Sequence, residues 1–102
     1  MTIDAREVVG AGFPPTEGER LAVWLMEQGD LDWHDLTIDV RRCPPALLIS
    51  AFFNAFLQKI FEVEPARLEL ARSIKWQPTF PFQEKNIKEW VDAFSPFTPT
   101  EC

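Results

Sequence analysis

Residues 36–61 read LTIDVRRCPPALLISAFFNAFLQKIF, and the spacing of the apolar residues changes halfway along. Leu36, Ile38 and Val40 alternate with Thr37, Asp39 and Arg41. A period of two is that of a half-buried strand, whose successive side chains point to opposite faces. Cys43, Pro44 and Pro45 end the pattern, since proline has no N–H to give a ladder. Beyond Ala46 the period lengthens. Ser50, Asn54 and Gln58 recur every four residues as one polar stripe, and Phe52, Phe53, Phe56, Leu57, Ile60 and Phe61 fill most of the remaining surface. A helix apolar around so much of its circumference is a central core element. Two starts are chemically sensible, Pro45 in a first turn or Ser50 as an N-cap.

Toward the C-terminus, residues 65–70 suggest a short helical turn. Residues 73–77 alternate again, with Ile74 and Trp76 on one face. After Pro78 and Pro81, the residues Ile87, Trp90, Val91 and Phe94 form an i, i+3, i+4, i+7 stripe and predict an amphipathic helix. Toward the N-terminus, residues 2–9 predict a weak strand ended by Gly10 and Gly12. Pro14 and Pro15 lead into Thr16, and Glu19 follows at capping-box spacing. Leu21, Trp24, Leu25 and Gln28 line one face of the helix so begun, and Gly29 is its expected stop.

Strand and helix thus alternate as βαβαβα. That order predicts an α/β fold: a small sheet of three to four strands, largely parallel, with about three helices packed on it. Both helical connections exceed the dozen residues that a parallel crossover needs. One domain over residues 1–95 is expected, followed by a mobile tail over 96–102 containing Pro96 and Pro99.

Length and charge narrow the function classes. A chain of 102 residues has room for one core. Apolar residues at 46% and charged residues at 25% are those of a globular protein, not a disordered one. The net charge of -6 argues against binding nucleic acid, whose phosphates a negative surface repels. The charge is unevenly placed: residues 1–40 hold nine acids and two bases, residues 41–102 seven acids and eight bases. The longest apolar stretch, 46–63, is interrupted by Ser50, Asn54, Gln58, Lys59 and Glu62, and so reads as a buried helix and not a membrane span. The first twelve residues carry Asp4 and Glu7 with no apolar run, unlike a signal peptide. Cys43 and Cys102 read as free thiols, which predicts a reducing, cytoplasmic setting.

Catalytic chemistry finds little support. Asp30, Asp32, His34 and Asp35 crowd one loop and offer a metal-dependent ligand binder or enzyme as an alternative, but a solvated connection explains them as well. Cys43 follows Arg41 and Arg42, which would favour its thiolate. Its one candidate base, His34, lies nine residues upstream with no third member. No glycine-rich phosphate loop is present. No enzymatic activity and no cofactor are expected. Ser50 is of more interest: at a helix start its hydroxyl sits where backbone N–H groups favour a phosphate, so it is a candidate phosphorylation site.

The strand ending through Asp39, the helix opening Ser50-Ala-Phe52, the strand Ser73-Ile-Lys-Trp-Gln77 and the helix containing Asn86-Ile-Lys-Glu-Trp-Val91 together resemble STAS-like domains, relatives of the bacterial anti-sigma-factor antagonists. The early segment Glu19-Arg-Leu-Ala-Val-Trp-Leu25 fits the same order, so the likeness spans nearly the whole chain. The resemblance implies a βα domain that works by binding proteins, with the helix after the Asp-bearing strand docking on an ATP-binding anti-sigma or histidine-kinase-like partner. It implies phosphorylation at the position of Ser50, although Ile49 and Ala51 stand where an acid and a second hydroxyl are usual. The expected partner surface is Asp39, Arg41, Arg42, Ser50 and Asn54. A homodimer or larger homo-oligomer, burying the surplus Phe and Trp between subunits, is the other reading.

Overall fold

A computed structural model describes residues 1–96. The expected tail over 96–102 lies, apart from Pro96, outside the described residues.

Three strands form one parallel sheet in the order β1 (Thr2–Asp4), β2 (Thr37–Asp39), β3 (Lys75–Gln77). Ile3, Ile38 and Trp76 are in register across it, and so are Asp4, Asp39 and Gln77. The alternation read at residues 36–40 holds: Leu36, Ile38 and Val40 are buried, while Thr37 and Asp39 are half-buried on the other face. Beyond the ladder proper, the Lys75 N–H donates to the Leu36 carbonyl and the Val40 N–H to the Gln77 carbonyl, both at 3.0 Å.

The first strand is shorter than residues 2–9. It ends at Asp4, whose carboxylate accepts the Arg6 N–H at 3.0 Å and caps a 3-10 turn over Ala5–Glu7. The Val8 and Val9 amides both donate to the Ala5 carbonyl, so Val9 reaches the core from a turn. A local side-chain bond has displaced the ladder.

Four α-helices, one more than expected, accompany the sheet: α1 (Pro14–Met26), α2 (Ser50–Val63), α3 (Leu68–Arg72), which packs on α2, and α4 (Pro81–Ala93). Helix α1 begins at Pro14, not Thr16. Prolines fill its first two positions, where an N–H has no intrahelical partner to lose. Thr16 is exposed inside the first turn, so no Thr16–Glu19 capping box forms. Helix α1 ends at Met26, with Glu27 as cap, and none of the described residues, Gly29 included, has a positive φ. Gln28 lies past the end and donates to the Trp24 carbonyl at 3.1 Å.

Helix α2 starts at Ser50, and a separate 3-10 turn occupies Pro45–Leu47. Both sequence cues therefore mark something real, but Ile49 is the cap and Ser50 the first helical residue, with no side-chain capping bond. Phe52, Phe53, Phe56, Leu57 and Ile60 are completely buried. Each such side chain contributes about 1.5–3 kcal/mol of burial. Phe53 and Phe56 meet Trp76 of β3 edge-on at 4.9 and 5.3 Å. These aromatic contacts fasten the central helix to the sheet.

Both crossovers, β1–α1–β2 and β2–α2–β3, move the same way across the sheet, and their usual right hand puts α1 and α2 on one face. Helix α4 joins them there through Trp90, which lies 5.7 Å from Phe53. On the opposite face Thr2, Lys75 and Gln77 are exposed and Asp4, Thr37 and Asp39 half-buried. The described residues therefore form two layers.

Candidate functional site

Parallel strands bring all their carboxyl ends to one edge, which is where open α/β sheets hold ligands. Here that edge carries Asp4, Asp39 and Gln77 side by side. The segments leaving it rise into the starts of α1, α2 and α4.

Asp39 is committed to Arg41. Its Oδ1 accepts the Arg41 backbone N–H at 2.9 Å and Nε at 3.0 Å, and its Oδ2 accepts Nη2 at 2.8 Å. The forked hydrogen bond from the guanidinium lowers the Asp39 pKa and raises that of Arg41. Arg42 pairs likewise with Asp4, a tie across 38 residues from the second connection back to the first strand. The Arg41 carbonyl accepts the Thr79 hydroxyl at 3.3 Å, joining the loop after β2 to the loop after β3. The charges at this edge are thus neutralised in pairs while both arginines stay exposed.

Cys43 sits beneath them with 6% exposure. Burial pushes its thiol up to about 11, outweighing the positive charges of Arg6 and Arg42. The expectation that flanking arginines favour its thiolate is therefore reversed: desolvation wins.

Sequence reading missed the apolar residues at this edge. Phe13, Ile49 and Phe80 are the N-caps of α1, α2 and α4, and their exposures are 71%, 41% and 51%. Phe82, 63% exposed, stacks on Phe80 with ring centroids 5.7 Å apart and planes at 12°. Four of the seven large apolar side chains left exposed among the described residues therefore mark three helix starts at one end of the fold. The available signal was the repeated Phe-Pro step, Phe13-Pro14 and Phe80-Pro81. Proline at the first helical position fixes the preceding residue as a cap, in extended backbone and outside the helix.

Glu17 was missed as well. It is the one buried charged residue among those described, at 5% exposure. Its Oε1 accepts the Gly10 N–H at 2.9 Å, and Arg20 Nε lies 3.6 Å away. Glu17, not Glu19, ties the loop after β1 to α1.

The predicted partner-binding residues fall into two groups. Asp39, Arg41 and Arg42 stand at the strand ends. Ser50 and Asn54 are exposed along a groove of about 560 Å³ between α2 and α4, with Glu19, Trp90 and Phe94 on its walls. Ile49 precedes Ser50 at the junction of the two groups.

The acidic loop 30–35 lies at the other end of the sheet. Asp32 Oδ1 accepts the His34 N–H at 3.0 Å and caps a 3-10 turn over Trp33–Asp35. Asp35 is 3.6 Å from the N-terminal ammonium, which also donates to its carbonyl. Trp33 is buried under the Arg67 guanidinium at 5.0 Å, pinning the loop to the body. Among the described residues no three His, Cys, Asp or Glu side chains converge as a metal site. No described helix is long and apolar enough to cross a membrane.

The chain matches no protein-family model, no curated protein and no solved structure.

Proposed function

We propose that this chain is a STAS-like, non-enzymatic interaction module that docks on a regulatory protein through the helix starts at the carboxyl edge of its sheet. One observation carries this reading: Phe13, Ile49, Phe80 and Phe82 are exposed at that edge, while the other aromatic side chains among the described residues are buried or half-buried. Apolar side chains grouped beyond isolated exposure mark contact surfaces. Arg41 and Arg42, each already paired, form a polar rim that need not lose a partner on binding.

The partner is an ATP-binding anti-sigma or histidine-kinase-like protein offering an apolar groove to Phe13, Ile49, Phe80 and Phe82. Ser50, exposed in the first turn of α2, is the position at which a phosphate would gain from the helix N-terminus and alter docking. A reducing cytoplasm suits Cys43, a buried thiol outside any disulfide.

The test uses the purified chain and a kinase-like regulator encoded beside it. Binding should weaken at least tenfold in the Ile49→Ser, Phe80→Ser, Phe82→Ser triple variant, with thermal unfolding unchanged. Equal affinity of wild type and triple variant would remove the surface from this role. If the regulator does not bind and the wild-type chain instead forms a dimer that the triple substitution dissociates, the surface belongs to self-association.

A further inference from the structure

We propose that α4 is a strap that detaches from the body as one unit, and that Arg72 is its latch. The helix is thinly anchored. It buries only Ile87 and Val91, against five residues for α2, and Trp90 is half-exposed. Water reaches both of its flanks, through an open cleft of about 330 Å³ between its Ile87–Val91 side and Ile74 and Trp76 and the groove of about 560 Å³ against α2. Segments with little buried apolar surface are those that open first.

The polar contacts at its start tether nothing. Gln83 Oε1 accepts the Phe80 N–H at 3.1 Å and the Gln83 N–H returns to the Phe80 carbonyl, so the cap is made of α4 itself. Lys88 pairs with Asp92 one turn away on the same helix. The far end is different. Arg72, reaching across from α3, donates Nη1 to the Val91 carbonyl and Nη2 to the Phe94 carbonyl, both at 2.8 Å. Within α4 itself the Val91 carbonyl accepts the capping Phe94 N–H at a longer 3.4 Å, so the guanidinium is its nearer donor. Arg72 Nε is held at 3.1 Å by Glu69 of its own helix, which aims the fork. Lifting the strap uncovers Phe53 and Trp76, the aromatic contact between α2 and the sheet. The latch lies at the opposite end of α4 from Phe80 and Phe82.

Hydrogen exchange of the full chain under native conditions tests this. In the wild type the amides of α4 should exchange as one group, at least tenfold faster than those of α2. Arg72→Gln should accelerate the α4 group a further ten- to hundredfold, the range for losing charge-assisted bonds, and leave α2 and the strands unchanged. Arg72→Lys, which keeps the charge but loses the planar fork and the Nε that Glu69 holds, should fall between, and acrylamide quenching of Trp90 should follow the same order. If Arg72→Gln proves too unstable to study, the wild-type ranking of α4 against α2 still decides. Equal protection of α4 and α2 in the wild type, or a uniform acceleration along the Arg72→Gln chain, would overturn the proposal.

Discussion

Gly18 of α1 lies so close to α2 that a methyl group on it would meet the Phe52 carbonyl oxygen at 2.3 Å. The obstacle is backbone, at the start of the helix carrying the core, and no side chain can swing aside to relieve it. Replacing glycine by alanine inside a helix ordinarily stabilises by about 0.5–1 kcal/mol. Here the crowding reverses the sign, and Gly18→Ala should destabilise by about 1–3 kcal/mol in urea unfolding. Gly29→Ala is the matched control: it has open space, its φ is negative, and the change should be neutral or stabilise by up to about 1 kcal/mol.

Glu17 gives a second prediction. Its carboxylate accepts the Gly10 N–H from inside the core boundary. Glu17→Ala leaves that amide unsatisfied and should cost about 1–3 kcal/mol, whereas Glu17→Gln keeps an acceptor and should cost less than about 1 kcal/mol. Gly12→Ala would place a methyl 2.6 Å from Glu17 Oε2, the end of a side chain that can shift, and so should cost less than Glu17→Ala. Equal unfolding midpoints for Glu17→Ala and Glu17→Gln would contradict the assignment.

The pair Asp39–Arg41 sets a pH dependence. The bonds from Arg41 hold the Asp39 carboxyl below its ordinary value of 3.8. A depressed pKa in the folded state means the contribution is complete above the unfolded value and is lost as pH falls through the folded one. Asp39→Asn should therefore be less stable than wild type at neutral pH, with the gap closing at the acid end, below pH 3.8. Unfolding midpoints measured from pH 7 down to pH 2 check this, and a gap that widens on acidification would refute it.

Cys43 should be inert. A thiol pushed up to about 11 and 6% exposed holds little thiolate at pH 8. Its alkylation should run roughly a hundredfold slower than that of an unperturbed cysteine and become fast only on unfolding. Mass spectrometry after timed iodoacetamide treatment, resolving Cys43 from Cys102, reads the rate. A fast reaction at Cys43 in the native chain would restore the influence of its arginine neighbours.

The parts of the fold legible in the sequence are those where one burial pattern governs many neighbouring residues. Leu36, Ile38 and Val40 announce β2 because one face of that strand is dry, and α2 announces itself through five buried side chains at helical spacing. The errors arose where a short-range bond competed with a pattern. Asp4 caps a turn at Arg6 and cuts β1 short. Pro14 and Pro15 begin a helix earlier than Thr16, which has the better capping chemistry. Glu17 outranks Glu19 because the glycine loop folds back on it, an arrangement that local spacing does not encode. The candidate surface was half legible for the same reason. Asp39, Arg41 and Arg42 follow from the end of a strand, but the exposure of Phe13 and Phe80 depends on what the remainder of the fold fails to cover.

The outer face of the sheet has a consequence for handling the protein. Parallel sheets are usually dry on both sides, and here the outer side meets water through Thr2, Asp4, Thr37, Asp39, Lys75 and Gln77. Three of these line up in each of two rows across the strands. Among the described residues this face thus presents six polar side chains, over a sheet whose outer strands β1 and β3 each pair on one side. Valine at Thr37 and Gln77 together would turn a wetted wall into an adhesive one, and precipitation at working concentrations would appear before any loss of fold.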